Sequence, residues 1–104
     1  MTDPDAPRPV RLPWRDAVVL VCRECDGRGG LSPKKVRKAL KGRVGATLPR
    51  RSVRVLAASC LDACPKQGVT VATAGASERA VVVRTRAQCD GVVDALAADL
   101  PTAS

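Results

Sequence analysis

The stretch AVVLVCREC, residues 17–25, holds the pattern from which the fold follows. Its first six residues, Ala17–Cys22, form a continuous apolar run, which is typical of a strand buried within a sheet. A second run, RRSVRVLAAS at residues 50–59, first alternates and then becomes apolar, so it predicts a second strand. Each of the two runs leads directly into a pair of cysteines.

A helix is predicted between these two strands. Ser32-Pro33 opens it, because serine is a good N-cap and proline suits the first helical position. The segment that follows, KKVRKALKG, carries Val36 and Leu40 on one side and basic residues on the other. Gly42 is predicted to end the helix. A strand, a crossover helix and a second strand form a right-handed unit with parallel strands.

Two strands and a helix are predicted in the last third of the chain. Val69–Thr73 and Arg79–Thr85 form a hairpin, and Ala87–Leu100 carries a helical apolar stripe. The order β-α-β-β-β-α predicts an α/β fold, a four-stranded mixed sheet with helices packed on it, in the reduced thioredoxin-like architecture. Residues 1–15, with four prolines, are predicted to form a flexible arm before a domain at 16–101.

Length and composition narrow the function classes. A chain of 104 residues is expected to form one domain, and it has no apolar run long enough to span a membrane. The N-terminus lacks the apolar region of a secretory signal, so a cytoplasmic location is expected. Histidine is absent, which leaves no imidazole for acid–base catalysis or metal binding. Any metal is therefore expected to be held by sulfur.

The cysteines are grouped where the first two predicted strands end. Cys22 and Cys25 form a C-x2-C motif, and Cys60 and Cys64 form a C-x3-C motif. Because neighbouring parallel strands end at the same edge of a sheet, four sulfurs are expected to converge there. Four thiolates suit zinc, a single iron or an iron–sulfur cluster. Cysteines in a short cytoplasmic chain are more often metal-binding or redox-active than structural.

The residues around these cysteines suit an anionic centre. Arg23, Arg28 and Lys66 lie within a few residues of the four cysteines, and they are predicted to stabilise the negative charge of an iron–sulfur cluster. Neighbouring glycines are expected to let backbone N–H groups approach the sulfurs. The fifth cysteine, Cys89, lies on the apolar stripe of the last predicted helix, so core packing is expected for it.

The segments VLVCREC, residues 19–25, and VRVLAASCLDACPKQGVTV, residues 53–71, resemble those of the thioredoxin-like [2Fe–2S] ferredoxins, also called Shethna-type. The C-x2-C…C-L-x2-C arrangement is also similar to short bacterial proteins described as predicted metal-binding. The resemblance covers roughly residues 17–100. It implies one-electron transfer, a homodimer and a [2Fe–2S] cluster near the surface, with ligands Cys22, Cys25, Cys60 and Cys64. In that family the first two ligands are commonly further apart than here.

Basic residues are concentrated in one part of the chain. Residues 23–54 carry eleven of the eighteen lysines and arginines against two acids. The predicted helix contributes Lys34, Lys35, Lys38 and Lys41, which are interpreted as a docking patch for an acidic redox partner. The chain has no recognised nucleic-acid motif and almost no aromatic residues, which argues against nucleic acid as a partner.

The function that follows is electron transfer by a protein that is not itself an enzyme. Three alternatives stay open from the residues. In the first, zinc staples a binding module whose basic helix contacts an acidic protein or nucleic acid. In the second, the protein carries or senses an exchangeable metal. In the third, the cysteines form a metal-free thiol system, although the predicted helix begins about ten residues after Cys22, too far to activate that thiol.

Overall fold

The predicted order of elements is confirmed. The computed structural model describes residues 6–12, 14–25, 29–59, 67–76 and 78–100. Within these ranges the elements are β1 (Ala17–Cys22), α1 (Pro33–Thr47), β2 (Val53–Ala58), β3 (Val69–Ala74), β4 (Arg79–Val83) and α2 (Arg86–Asp99).

The four strands form one mixed sheet in the order β2-β1-β3-β4. β1 and β2 are parallel and in full register, from Ala17 opposite Val53 to Cys22 opposite Ala58. β3 runs antiparallel to β1, and β4 runs antiparallel to β3. The α/β class and the four-stranded mixed sheet are therefore as predicted. One end of the sheet contains the C-terminal ends of β1, β2 and β4 together with the start of β3.

The main core lies between one face of the sheet and the two helices. Alternate strand residues, such as Val19, Val21 and Val71, join Val36 and Leu40 of α1 in a single buried cluster. From α2, this cluster contains Cys89, Val93 and Leu96. Side chains alternate between the two faces of a strand, so Val18 and Cys22 point to the face opposite this cluster. Both are nevertheless buried.

The prediction that α1 ends at Gly42 is wrong, because the helix continues to Thr47. A side chain at Gly42 would meet no atom within 4 Å, so this glycine lies on an open helix surface. Helical dihedrals are unfavourable for the residue before a proline, because that residue clashes with the proline ring. Leu48, which precedes Pro49, accordingly has an extended φ of −112° and ψ of 154°. The proline therefore explains the end of the helix better than the glycine does.

Two predicted strands are shorter in the structure. β2 begins at Val53 rather than Arg50, because the chain first turns through Arg51, which has a φ of 64°. β4 ends at Val83 rather than Thr85. Thr85 is instead the N-cap of α2, where its side chain and that of Gln88 form a capping box.

The segment before β1 is attached to the turn before β2. Residues 6–12 form neither helix nor strand, and their side chains are exposed, whereas Trp14 is half-buried. The Arg15 N–H donates to the Arg51 carbonyl at 2.7 Å, and the Asp16 N–H donates to the Ser52 carbonyl at 2.8 Å. No helix in the described part of the chain is long and apolar enough to cross a membrane.

Candidate metal centre

Cys22 is the last residue of β1, and the residue is 1% exposed. It pairs with Ala58 at the end of β2, and the next ladder bond runs from the Arg23 N–H to the Ala58 carbonyl at 2.9 Å. The Cys22 thiol also donates to the Ser59 carbonyl, with 4.0 Å between sulfur and oxygen. The expected convergence of the two strand ends is therefore present at the Cys22 sulfur.

Ser59 immediately precedes the second cysteine motif. The hydrogen bond from Cys22 thus ties the end of the first motif's strand to the residue before Cys60. Cys60 and Cys64 themselves lie outside the described residues, so the four-cysteine site stays a prediction.

Cys25 follows β1 after a turn through Arg23 and Glu24, and it is half-buried. Burial raises the pKa of the Cys25 thiol, and its hydrogen bond and charge interaction with Cys22 raise that pKa further. Hydrogen bonds with the backbone and hydroxyl of Thr70 act in the opposite direction. The Cys25 thiol therefore interacts with both Cys22 and Thr70, the second residue of strand β3. The two cysteines of the first motif thus lie next to each other.

Cys89 belongs to a different environment. It lies in the first turn of α2, is 0% exposed and is part of the core cluster. Burial raises the pKa of the Cys89 thiol, and the nearby Asp90 carboxylate raises it further. Among the residues that the structure describes, no three His, Cys, Asp or Glu side chains are grouped closely enough to hold a metal. Cys89 therefore does not join Cys22 and Cys25, as its predicted role in the core requires.

Two glycines near the cysteine motifs are explained by close packing. The Leu31 N–H donates to the Arg84 carbonyl at 2.9 Å, and a side chain on Gly30 would collide with that carbonyl. Gly68 has a φ of 89°, and a side chain there would come within 2.9 Å of the Val83 carbonyl. At both positions the absence of a side chain lets the backbone pack against the end of β4. Their predicted approach to the sulfurs stays untested.

A cavity of about 360 Å³ opens beside Cys25 at the start of α1. It is lined by Val21, Arg23, Cys25, Ser32, Pro33, Lys34, Arg37 and Ala57. Arg23, predicted to stabilise a bound cluster, is exposed and lines this cavity. The other two predicted cations, Arg28 and Lys66, lie outside the described residues. The walls of the cavity thus combine one thiol with three basic side chains.

The four lysines of the predicted docking patch are all exposed, but they do not share one surface. Lys34 lines the cavity beside Cys25. Lys35, Lys38 and Lys41 line a separate cleft of about 660 Å³, together with Arg86 of α2. The structure therefore brings one of the four lysines next to the cysteine motif and adds Arg37 to it.

Sequence reasoning missed Ser59 and Thr70 near the first cysteine pair, and it considered Arg37 only as part of the basic stretch. Ser59 has a signal in the sequence, since it directly precedes Cys60. The position of Thr70 follows only from the antiparallel register of β1 and β3. Val71 pairs with Val21, so Thr70 lies one position nearer to the end of β1. Arg37 follows from Lys34, because residues three apart on a helix are neighbours.

Comparisons of the chain with protein-family models, with curated proteins and with solved structures found no match in any of the three. The chemistry of the site has to be argued from this chain's own residues.

Proposed function

We propose that this protein binds a [2Fe–2S] cluster through Cys22, Cys25, Cys60 and Cys64 and transfers single electrons to or from a partner protein. It acts as a carrier and catalyses no conversion of its own. We also propose the cytoplasm as its location, since thiols stay reduced there.

One observation carries this proposal. The Cys22 sulfur lies 4.0 Å from the carbonyl oxygen of Ser59, which is the residue before Cys60. The first motif, at the end of β1, thus contacts the residue that immediately precedes the second motif, which supports a site shared by the two motifs. Cys25 contacts Cys22 and adds the second thiol.

The donor set fits the cluster. Thiolates are the usual ligands of [2Fe–2S] centres, and when bound, such a centre supplies a reversible one-electron couple. Cys22 and Cys25 would hold it from the end of β1, and Cys60 and Cys64 from the segment after β2. Arg23 lines the cavity beside Cys25, so its guanidinium would offset part of the negative charge gained on reduction.

The finer fold class is also part of the proposal. A parallel β1–β2 pair, joined by a crossover helix and extended by an antiparallel hairpin in the order β2-β1-β3-β4, supports a thioredoxin-like fold. In this arrangement the C-terminal ends of β1 and β2 are adjacent. Membership of the Shethna-type family would follow from the same arrangement together with the bound cluster.

The proposed partner is an acidic redox protein. Arg23, Lys34 and Arg37 surround the cavity that leads to Cys25, so a partner with carboxylates would approach the proposed cluster closely. We expect the electron-transfer rate to fall as salt is raised, because the charges are exposed. Lys34→Gln should reduce the rate more than Lys38→Gln, which removes the same charge from the other cleft.

An anaerobic ultraviolet–visible spectrum with iron, sulfide and zinc analysis tests the cofactor. A brown protein with about two irons and two sulfides per chain, bleached reversibly by dithionite, would support the proposal. A colourless protein with about one zinc per chain, still colourless after anaerobic reconstitution with iron and sulfide, would contradict it in favour of the zinc-stapled module. A protein that holds neither metal would favour the thiol system.

We further propose that β4 supports a homodimer. It lies at the edge of the sheet, and Val81 and Val82 are 41% and 46% exposed. Antiparallel pairing of two copies of β4, centred on Val81, uses all five residues of the strand. This register places Glu78 opposite Arg84 of the partner subunit, so opposite charges face each other at both ends.

The dimer is tested by light scattering after size exclusion over a range of protein concentrations. Val82→Lys introduces a charge that protects exposed strand edges, so it should give a monomer. Val10→Lys makes the same change at an exposed position in the arm and should leave the mass unchanged. A wild-type protein that is monomeric at every concentration would contradict the dimer.

A further inference from the structure

The end of the sheet opposite the cysteines contains a strongly basic cleft. Its volume is about 720 Å³, and it is lined by Arg11, Leu12, Trp14, Arg15, Arg50, Arg51 and Arg54. Trp14 is the one aromatic residue of the chain. The proposed electron carrier makes no use of this cleft, which combines five guanidinium groups with one indole ring.

The cleft is assembled from two segments that are distant in sequence. Backbone hydrogen bonds from Arg15 to Arg51 and from Asp16 to Ser52 attach the segment after Trp14 to the turn before β2. The buried Ser52 hydroxyl reinforces this attachment by donating to the Asp16 carboxylate at 2.7 Å. The indole is therefore held beside the arginines that surround β2.

Among the residues that the structure describes, only Arg15 of the cleft has a carboxylate partner. Arg15 forms an ion pair with Asp16, with 3.3 Å between nitrogen and oxygen. In the described ranges, no carboxylate pairs with the cleft's other four arginines. Their guanidinium groups remain available to bind the anionic groups of a ligand.

The basic surface continues beyond the cleft. Arg50, Arg51 and Arg54 also line a second cleft of about 590 Å³, which extends past Leu48 to Lys41 on α1. The three arginines thus separate two adjoining clefts and would contact a ligand in either one. A long polyanion would be able to follow both clefts around the edge strand β2.

We propose that this surface binds single-stranded nucleic acid. Proteins that bind single strands combine a basic groove that follows the phosphates with aromatic side chains on which bases stack. The arginines would bind successive phosphates, and Trp14 would stack on an unpaired base. The sequence argues against nucleic acid because it has no recognised nucleic-acid motif and because the basic stretch lacks aromatic residues. The fold removes the second objection by bringing Trp14 from the arm to this stretch.

The single tryptophan provides a direct test. The full-length protein is titrated with fluorescein-labelled single strands of about twelve nucleotides, oligo-dT and oligo-U, while anisotropy and tryptophan fluorescence are recorded. Because the chain has one Trp and no Tyr or Phe, intrinsic emission reports on this cleft alone. We expect the emission to be quenched in parallel with binding. Comparing the two strands shows whether DNA or RNA is preferred.

Variants separate the two kinds of contact. Trp14→Ala should weaken binding by about 5- to 150-fold, the usual effect of losing one stacked base, and Trp14→Phe should restore much of the affinity. The double variant Arg50→Gln/Arg54→Gln should reduce the slope of log affinity against log salt by about 1.4, since each phosphate contact contributes about 0.7. The matched control Lys35→Gln/Lys38→Gln removes the same charge from α1 and should keep the wild-type slope.

Three results would overturn the proposal. The first is binding that leaves the tryptophan emission unchanged, because the base would then not contact Trp14. The second is an arginine double variant that behaves like the lysine control. The third is polyglutamate that binds as tightly as the oligonucleotides and quenches Trp14 equally, which would identify the surface as a site for acidic proteins.

Discussion

The two ends of the β1–β2 pair differ in chemistry. At one end, Cys22 lies opposite Ala58 and its sulfur reaches Ser59, so the strands lead into thiols. At the other end, the backbones of Arg15 and Arg51 meet, so the strands begin among guanidinium groups. The proposed metal centre and the proposed nucleic-acid surface would thus lie at opposite ends of one pair of parallel strands.

The two ends differ in how directly their residues are positioned by the hydrogen-bond ladder between β1 and β2. Cys22 is the last residue of β1, so the parallel register alone brings its sulfur to Ser59, the residue before the second motif. Trp14 lies outside the ladder, and its position depends on hydrogen bonds made by the residues after it. If the two ends are independent, damage to one should leave the other intact.

The largest expected effect is the loss of metal from a cysteine variant. Cys22→Ser should abolish the visible absorption and bound iron, because three thiolates hold a [2Fe–2S] cluster poorly. Cys89→Ala should keep the wild-type spectrum, since Cys89 is in the core and not near the cysteine pair. Oligonucleotide affinity should change by less than about twofold in both variants. An iron-loaded Cys22→Ser protein would refute the ligand assignment.

A smaller effect is expected from a substitution in the core, which should lower the stability of the whole domain. Leu40 of α1 is 0% exposed, so Leu40→Ala should lower the free energy of unfolding by about 2–5 kcal/mol. Urea denaturation followed by circular dichroism measures the change. The exposed Lys38→Ala on the same helix should stay within about 0.5 kcal/mol of the wild type. A Leu40→Ala protein as stable as the wild type would contradict the described core.

At the end of the sheet that carries the arginines, the stability contributed by Asp16 should depend on pH. The hydrogen bond from Ser52 lowers the pKa of Asp16, partial burial opposes this, and Arg15 lowers the pKa further. A lowered native pKa adds stability above the pKa of the unfolded state, and this stability is lost as pH falls through the native pKa. Ser52→Ala should therefore be less stable than the wild type at pH 7.

The stability difference between Ser52→Ala and the wild type should shrink as the pH is lowered below the ordinary pKa of an aspartate. Urea denaturation at neutral and at acidic pH measures it. The iron content should be unchanged, because Ser52 lies at the other end of β1 and β2. A difference that stays constant down to the most acidic condition would show that Asp16 does not contribute through its charge.

The smallest effect tests the corrected end of α1. Gly42 lies inside the helix with open space around it, so Gly42→Ala should raise the free energy of unfolding by about 0.5–1 kcal/mol. Gly30→Ala is the matched glycine variant, and it should destabilise the protein because its new side chain meets the Arg84 carbonyl. A destabilised Gly42→Ala protein would mean that the helix does end there.

Much of the fold was predictable because its signals are local. The apolar run Ala17–Cys22 matches β1 residue for residue, and the Ser32-Pro33 start of α1 is confirmed by the bond from the Lys35 N–H to the Ser32 hydroxyl. Boundaries were less predictable where two signals compete. At the end of α1, Pro49 outweighs Gly42, and at the end of β4, the capping role of Thr85 outweighs its β-branched side chain.

The candidate metal centre was predictable in part. The grouping of Cys22 with Cys25 and the position of Cys89 in the core follow from spacing and periodicity. The contact between Cys25 and Thr70 does not, because it depends on the antiparallel placement of β3 beside β1. The division of the four lysines between two clefts likewise depends on where Arg86 of α2 lies.

The sequence by itself determined the order of the elements, the mixed sheet and the position of Cys22 at the end of β1. These depend on periodicity, capping and the geometry of parallel strands, which act over short stretches of chain. Only the tertiary structure placed Trp14 among Arg50, Arg51 and Arg54. Their proximity results from hydrogen bonds between residues about 36 positions apart, for which no local pattern in the chain provides a signal.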